Sequence, residues 1–528
     1  MAKRAAAADR SAAKGRDTMA DANARPRSGL FLTSFAAIVA TSFCFILRAL
    51  VIGEWGVEFD LSETQKGELT GAGLWPFAIT IVLLSLLIDR IGFRATFWFA
   101  AFCHVVGLAI LFTAQGYWAL YAGTFIMALG NGAVEAAANP LIATLFSEDK
   151  PKWLNRLHAA WPLGLMLGGI LALGLGEGVD WRIKVALMAA PVAVYAFLLF
   201  GRTFPQSERA AAGVPYRAML AEAGFLSAFI IIALMMLEVG RVFALPAISI
   251  WSLIGAFTLL YAWFSRSAGR PLYIIFVLLM IPLAVTELST DSWITELMSP
   301  EMNALGLQAG WVLVYTSAVM FVVRMYAGPL LHTAKPLGVL AGASALAAIG
   351  LFWLSGATGL ALLAAATLYG IGKSFFWGTS LAIASEQFPR GGAVTLNVMA
   401  GAGMLAAGIV GTVMLGALQD RAISRGLDAY DSTNNAQLAE TYLTERTGLF
   451  GAYRAIDQDK LAGASMEDQQ LIQGVTAIGK KGALREVALV PVFMLLAYLG
   501  LIAYFRSRGG YQPVTLTREV SPGPSPAE

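Results

Sequence analysis

Asn131, Glu135 and Asn139 stand four residues apart in a stretch built mostly of Ala, Gly and Val. On a helix that spacing puts all three on one face. No Asp, Glu, Lys or Arg occurs from Ala95 to Val134, so the Glu135 carboxyl is expected at membrane depth. An acid there is costly as an anion, which makes it a candidate proton carrier. Protonated, it can donate a hydrogen bond to a hydroxyl, and the two amides beside it supply further donors and acceptors. A short charged loop (Glu148, Asp149, Lys150, Lys152) leads into a second apolar segment that opens with Asn155 and His158 and continues with Trp161. Asn155 and His158 are three apart and share a face. The histidine reads either as a hydrogen-bonded core residue or as part of a transport site, and Trp161 either packs or stacks on a sugar ring.

Five further ionisable residues fall within apolar stretches: Arg48, Glu287, Asp291, Arg324 and Lys373. With Glu135 they balance in sign. Each costs about 2.5–3.5 kcal/mol at a helix centre, so each needs a partner or a water-filled cavity. One reading is structural pairing throughout; the favoured one is a solute and proton path. Glu287 and Asp291 are one helical turn apart and repel unless a base or a proton lies between them. Glu287 is the stronger cavity candidate, with Asp291 nearer the outer surface. Lys373 reads equally as a substrate or coupling residue and as a partner for Glu287 or Asp291. Arg48 either snorkels to the outer surface or offers a cation to an anionic substrate. Arg324 reads as holding structure. Trp377, next to Gly378, is a second candidate for stacking on a ring. There is no CxxC, HExxH or metal-ligand cluster, so neither a metal nor a cofactor is expected, and no nucleophile–base set supports an enzyme. Cys44 and Cys103 lie in apolar segments and imply no disulfide framework.

The elements that position these residues follow from composition. Of 528 residues, 57% are hydrophobic and 13% charged, against about 25% charged in a soluble domain. The mean hydropathy is +0.66. This is an all-α polytopic membrane protein. A net charge of +3 without a basic patch excludes nucleic acid as a partner. With about 20 apolar residues per span, fourteen segments qualify: 30–52, 67–88, 94–114, 118–145, 156–176, 183–203, 223–240, 243–265, 271–296, 308–332, 337–355, 359–388, 391–418 and 486–506. With the amino terminus inside, the inner loops carry Arg90, Arg94, Lys150, Lys152, Arg156, Arg202, Arg209, Arg217, Arg266, Arg270, Lys335 and Arg390. The outer short loops carry Lys66, Arg182, Lys184 and Arg241. That bias places both termini in the cytoplasm. The expected layout is a disordered tail (1–28), a six-helix bundle (29–204), a cytoplasmic linker (205–222), an inserted transmembrane hairpin (223–266), a second six-helix bundle (267–506) and a cytoplasmic tail (507–528). Residues 419–485 read as a polar outer loop with helical stretches over the outer mouth. Gly130-Asn131-Gly132 and Gly370-Ile371-Gly372 echo each other between the halves, as internal repeats do in many transporters.

Asp89-Arg90-Ile91-Gly92-Phe93-Arg94, between the second and third spans, resembles the cytoplasmic loop motif of the major facilitator superfamily. The resemblance implies two six-helix bundles and a latch in which the acid and bases of this motif hold the bundles in one state. A remnant at Gly328 to Gly338 keeps Lys335 and has His332 near the place of an acid. Within that superfamily, Glu135-Ala-Ala-Ala-Asn139-Pro140, followed by Leu154-Asn155, resembles the fucose:proton symporter family. This implies that Glu135 serves proton coupling and sugar recognition, and that the asparagines line or shape the site. The chain departs from that family in its first helix, where Phe45-Ile46-Leu47-Arg48 stands in place of an Asp. A base there resembles sugar-acid and organic-anion porters. The inserted hairpin resembles the proton-dependent peptide transporters, whose first-helix motif is absent.

The expectation is a monomeric secondary active transporter of the inner membrane. By alternating access it takes up a sugar or sugar derivative with a proton. The alternative is an organic-anion or sugar-acid porter that uses Arg48 and Lys373 as clamps; a solute sensor that does not transport is the least favoured. No Walker signature occurs, so direct ATP drive is not expected.

Overall fold

The computed structural model describes residues 2–61, 63–176, 178–291, 294, 298, 302, 306–308, 310–448 and 451–516, with side chains from residue 27 onward except at 63, 64, 412, 413, 447, 448, 451, 458 and 480. Among them, twelve helices are long and apolar enough to cross a membrane, and Trp311–Met325 is a shorter apolar helix. One of the twelve, Gln65–Phe112, has 48 residues. At about 1.5 Å per residue it would be more than twice the roughly 30 Å of a bilayer core. It is two spans. Gly92 has φ 81 and ψ 156, a conformation in which only glycine is unstrained, and the chain reverses there. Packing requires the reversal. A Cβ on Gly132 would lie 2.4 Å from Phe77 O, and one on Gly130 would lie 2.7 Å from His104 Cδ2. Phe77 and His104 thus reach positions two residues apart on the same helix, which a straight rod would forbid. Lys335, with φ 56 and ψ 156, breaks Gly328–Leu354 in the same way in the second half. With the 65–112 helix counted as two spans and Trp311–Met325 added, the total comes to the fourteen expected spans.

The first half (helices within 27–199) and the second half (within 271–507) meet along Gly169 and Val314, Gly401 and Val82, and Asn155 and Gly378. The helices Tyr216–Val242 and Ala247–Ser265 pack on each other, and Tyr216–Val242 packs on Gly392–Ala406. They contribute no residue to the central cavity. The hairpin is pinned at its two ends by Arg270–Glu222 at 2.9 Å and by the close approach of Gly224 to Gly269.

Several segments differ from expectation. The backbone is helical from Ala2 to Glu58, where residues 1–28 read as a disordered tail; the alanine-rich composition has high helix propensity. The span expected at 271–296 is described through 291, turning π-helical at Val285–Ser289, and its final residues fall largely outside the described set. Residues 419–485 form a folded unit. The helices Thr412–Asn434 and Met466–Val487 flank a two-stranded antiparallel sheet, β1 (Leu443–Gly448) and β2 (Gly451–Ile456). The strands fall where the sequence predicts helical stretches. Thr444, Tyr453 and Ile456 favour strand, and the pairing ends at Gly448 opposite Gly451. Ile423, Leu427, Tyr442 and Ile472 give the unit its own small core. Of the carboxy-terminal tail, Tyr511 is buried, its hydroxyl donating to Glu386 at 2.6 Å, and Val514 N donates to Glu386 O at 2.8 Å.

Candidate transport site

A narrow cavity lies between the halves. From the first half it is lined by Phe77, Ile81, Glu135, His158 and Trp161, and from the second by Glu287, Leu288, Arg324, Trp377 and Met404. Glu135 is buried, and its Oε2 accepts from Asn139 Nδ2 at 2.8 Å. Asn139 Oδ1 in turn accepts from His158 Nε2 at 2.9 Å. The sequence spacing therefore did place Glu135 and Asn139 together, and tertiary packing added His158 to form a hydrogen-bonded chain. Glu135 has no cationic partner among the described residues; its polar partner is an amide.

The second half brings a pair of opposite charge. Arg324 is 1% exposed; it donates Nη2 to Glu287 Oε1 at 2.6 Å, Nε to Ser374 O at 2.7 Å and Nη1 to His158 O at 3.0 Å. It is thus both a strut between the halves and a wall of the cavity, whereas the sequence suggested a structural role alone. Its signal was present: a base in an apolar helix, with an acid of the right sign elsewhere. Glu287 Oε2 is buried with no hydrogen-bond partner among the described residues, on a side chain that lines the cavity. Lys373 is fully buried, is ion-paired to Asp291, and lies 5.0 Å from the centre of the Tyr369 ring. This is the pairing alternative for Lys373, and neither member lines the cavity.

Other candidates lie elsewhere. Asn131 turns to His104, whose Nε2 donates to Asn131 Oδ1 at 2.9 Å, while Tyr195 lies 2.8 Å from His104 Nδ1. One helical face is wide enough for Asn131 to belong to internal packing and Glu135 to the cavity. Asn155 joins the halves below the cavity, donating to Thr379 Oγ1 at 3.1 Å. Arg48 lies outside the cavity, 5.6 Å from the centre of the Phe45 ring and against Gly73, and has no acid partner among the described residues. Phe45 in turn packs against Trp161, which lines the cavity. Trp161 and Trp377 both face the cavity, as the stacking reading required.

At the 89–94 end the halves are closed. Asp89 Oδ2 accepts from Arg209 Nη2 at 2.6 Å and Oδ1 from Ser207 Oγ at 2.6 Å, so the segment after the sixth span supplies the partners of the motif acid. Arg209 also packs against Gly392 of the second half. Lys150 bridges Glu208 at 2.7 Å and Ser385 O at 3.1 Å, and His332 lies 3.2 Å from Asp149. Arg90 lies over the Tyr216 ring at 5.4 Å, and Arg94 is exposed. Among the described residues no cluster of His, Cys, Asp and Glu forms a metal-binding group.

The family model of the Major Facilitator Superfamily matches residues 30–421. An uncharacterised MFS-type transporter of Bacillus subtilis is 25% identical over 182 residues, 34% of each chain. The L-fucose-proton symporter of Escherichia coli is 24% identical over 160 residues, 29% of this chain and 36% of that one. The alignments thus span about a third of these relatives' length. Among solved structures, a proton:xylose symporter superposes with a TM-score of 0.59 at 13% identity, covering 90% of this chain and 96% of that one. A human organic anion transporter does so with a TM-score of 0.58 at 12% identity, covering 90% and 99%. Likeness at such identity shows the fold alone.

Proposed function

We propose that this chain, which belongs to the Major Facilitator Superfamily of transporters, is a secondary active transporter that takes up a sugar or sugar derivative together with a proton. The observation that carries the reading is Glu135. It lines the cavity between the halves with no ion-pair partner among the described residues and is wired through Asn139 to His158, with Trp161 and Trp377 in the same cavity. A carboxyl so placed is costly to keep charged and can carry a proton. A protonated Glu135 donates to a solute hydroxyl, the free oxygen of Glu287 accepts from another, and an indole face covers the ring. Proton and solute are coupled because each favours the same occupied geometry. The 89–94 end faces the cytoplasm, as do both termini, and the protein is a monomer in the inner membrane. The relative named as an L-fucose-proton symporter supports the solute class.

A second reading has its own observation. Arg48 is buried beside the path through Phe45 and Trp161 and lacks an acid partner among the described residues, which suits an anionic solute such as a sugar acid. Lys373 no longer stands ready as a second clamp, since Asp291 neutralises it.

Uptake into vesicles with and without a pH gradient tests both readings. Glu135→Gln is expected to abolish gradient-driven accumulation and to leave solute exchange largely intact. Accumulation at the wild-type level by a well-folded Glu135→Gln protein would sink the assignment. In competition assays, sugars are expected to inhibit; inhibition by the matching sugar acids alone would establish the anion reading instead.

A further inference from the structure

Three carbonyls at the contact between the halves lack a donor from their own helix, two of them because of prolines. In an α-helix the carbonyl of residue i receives the N–H of residue i+4, and proline has none. Pro140 thereby frees Ala136 O and Pro162 frees His158 O, while Ser385 O is free because its helix ends at Gln387. Each is capped from the opposite half. Asn397 Nδ2 donates to Ala136 O at 3.0 Å, Arg324 Nη1 to His158 O at 3.0 Å, and Lys150 Nζ to Ser385 O at 3.1 Å. A buried carbonyl without a donor is unfavourable, so each cap stabilises the contact only while the halves are together.

The first two caps flank the Glu135–Asn139–His158 chain. Ala136 follows Glu135, Asn139 precedes Pro140, and His158 itself bears the second capped carbonyl. Asn397 is fully buried and lies on the same helical face as the cavity residue Met404, two turns toward the 89–94 end. Its Oδ1 has no partner among the described residues, so its donation to Ala136 O is the polar contact that orients the side chain.

We propose that Asn397 is a positioning residue of the gate at the 89–94 end: by capping the carbonyl that Pro140 frees, it latches the second half to the helix that carries Glu135. Opening of that end breaks the latch. The Asn139-Pro140 pair then has two functions, with the amide wiring the proton site and the proline exposing the carbonyl by which the other half grips the same helix. The proposal rests on alternation between open and closed states and not on which solute is moved.

The test needs no substrate. In the full chain in nanodiscs, with Cys44 and Cys103 replaced by serine, a cysteine at Ala143 reports opening through its rate of labelling by a polar maleimide. Ala143 lines the closed cleft beyond Pro140, with Ala393 opposite. Asn397→Ala is expected to raise that rate roughly two- to tenfold, the effect of losing one hydrogen bond. Asn397→Leu fills the side-chain volume but lacks the donor, so it must raise labelling as well. Pro140→Ala returns an N–H to Ala136 O inside the helix, so it too should raise labelling, and the double variant with Asn397→Ala should exceed neither single one. Wild-type labelling in a monodisperse Asn397→Leu protein would reduce Asn397 to packing and overturn the proposal. So would independent, multiplying effects of Pro140→Ala and Asn397→Ala.

Discussion

Arg324 spends three donors on three different elements: the Glu287 carboxylate, the Ser374 carbonyl and the His158 carbonyl. Removing one member of a buried ion pair leaves the other without compensation, which costs about 3–5 kcal/mol, whereas replacing both by apolar groups is often close to neutral. Arg324→Leu is therefore expected to lower the melting temperature in detergent sharply, and Arg324→Leu combined with Glu287→Leu to recover most of the loss. A double variant as unstable as the single one would show that the two carbonyl caps, and not the ion pair, dominate. The sequence marked both residues as charges at depth. It left the pairing open, because Glu287, Asp291, Arg324 and Lys373 allow more than one neutral arrangement. The fold resolves this by placing Arg324 against Glu287 and Lys373 against Asp291.

Among elements, the reversal at Gly92 decides how two spans of one continuous helical pattern come to lie side by side on the Glu135 helix. With φ 81 and ψ 156 it occupies a region that a Cβ makes costly by about 1–3 kcal/mol. Gly92→Ala should lower thermal stability by that order even though no atom lies within 4 Å of the added Cβ. An unchanged melting temperature would mean that the turn relaxes freely. The loop motif was legible because glycine and charge punctuate apolar runs. The β-hairpin at 443–456 was not, because Leu438–Tyr442 begins the stretch as a helix and the change of period occurs within a few residues.

Across the whole molecule, the closed 89–94 end is a network that draws on both halves and on the segment between them. Asp89 is held by Ser207 and Arg209, Arg209 touches Gly392, and Lys150 links Glu208 to Ser385. Asp89→Asn weakens the charge-assisted bonds that hold Arg209 where it packs against Gly392 of the second half. It should change the transport rate far more than the affinity of the state facing the opposite side. Wild-type rates in that variant would remove Asp89 from the latch.

Composition and periodicity by themselves determined that the chain is an all-α polytopic membrane protein, that the charges in its apolar stretches balance and that Glu135 and Asn139 share a helical face. These properties are local: hydropathy accumulates along about 20 residues, and helical spacing acts over a single turn. Tertiary structure alone decided which charges neutralise each other, that Asn131 serves His104 while Glu135 faces the cavity, and that Ser207 and Arg209 hold Asp89. It also decided that Asn397 meets a carbonyl 261 residues away. The physical reason is that a buried polar group takes whichever partner the packing of distant helices delivers. A proline announces in the sequence that a carbonyl will be free, but only the approach of the other half shows which donor reaches it.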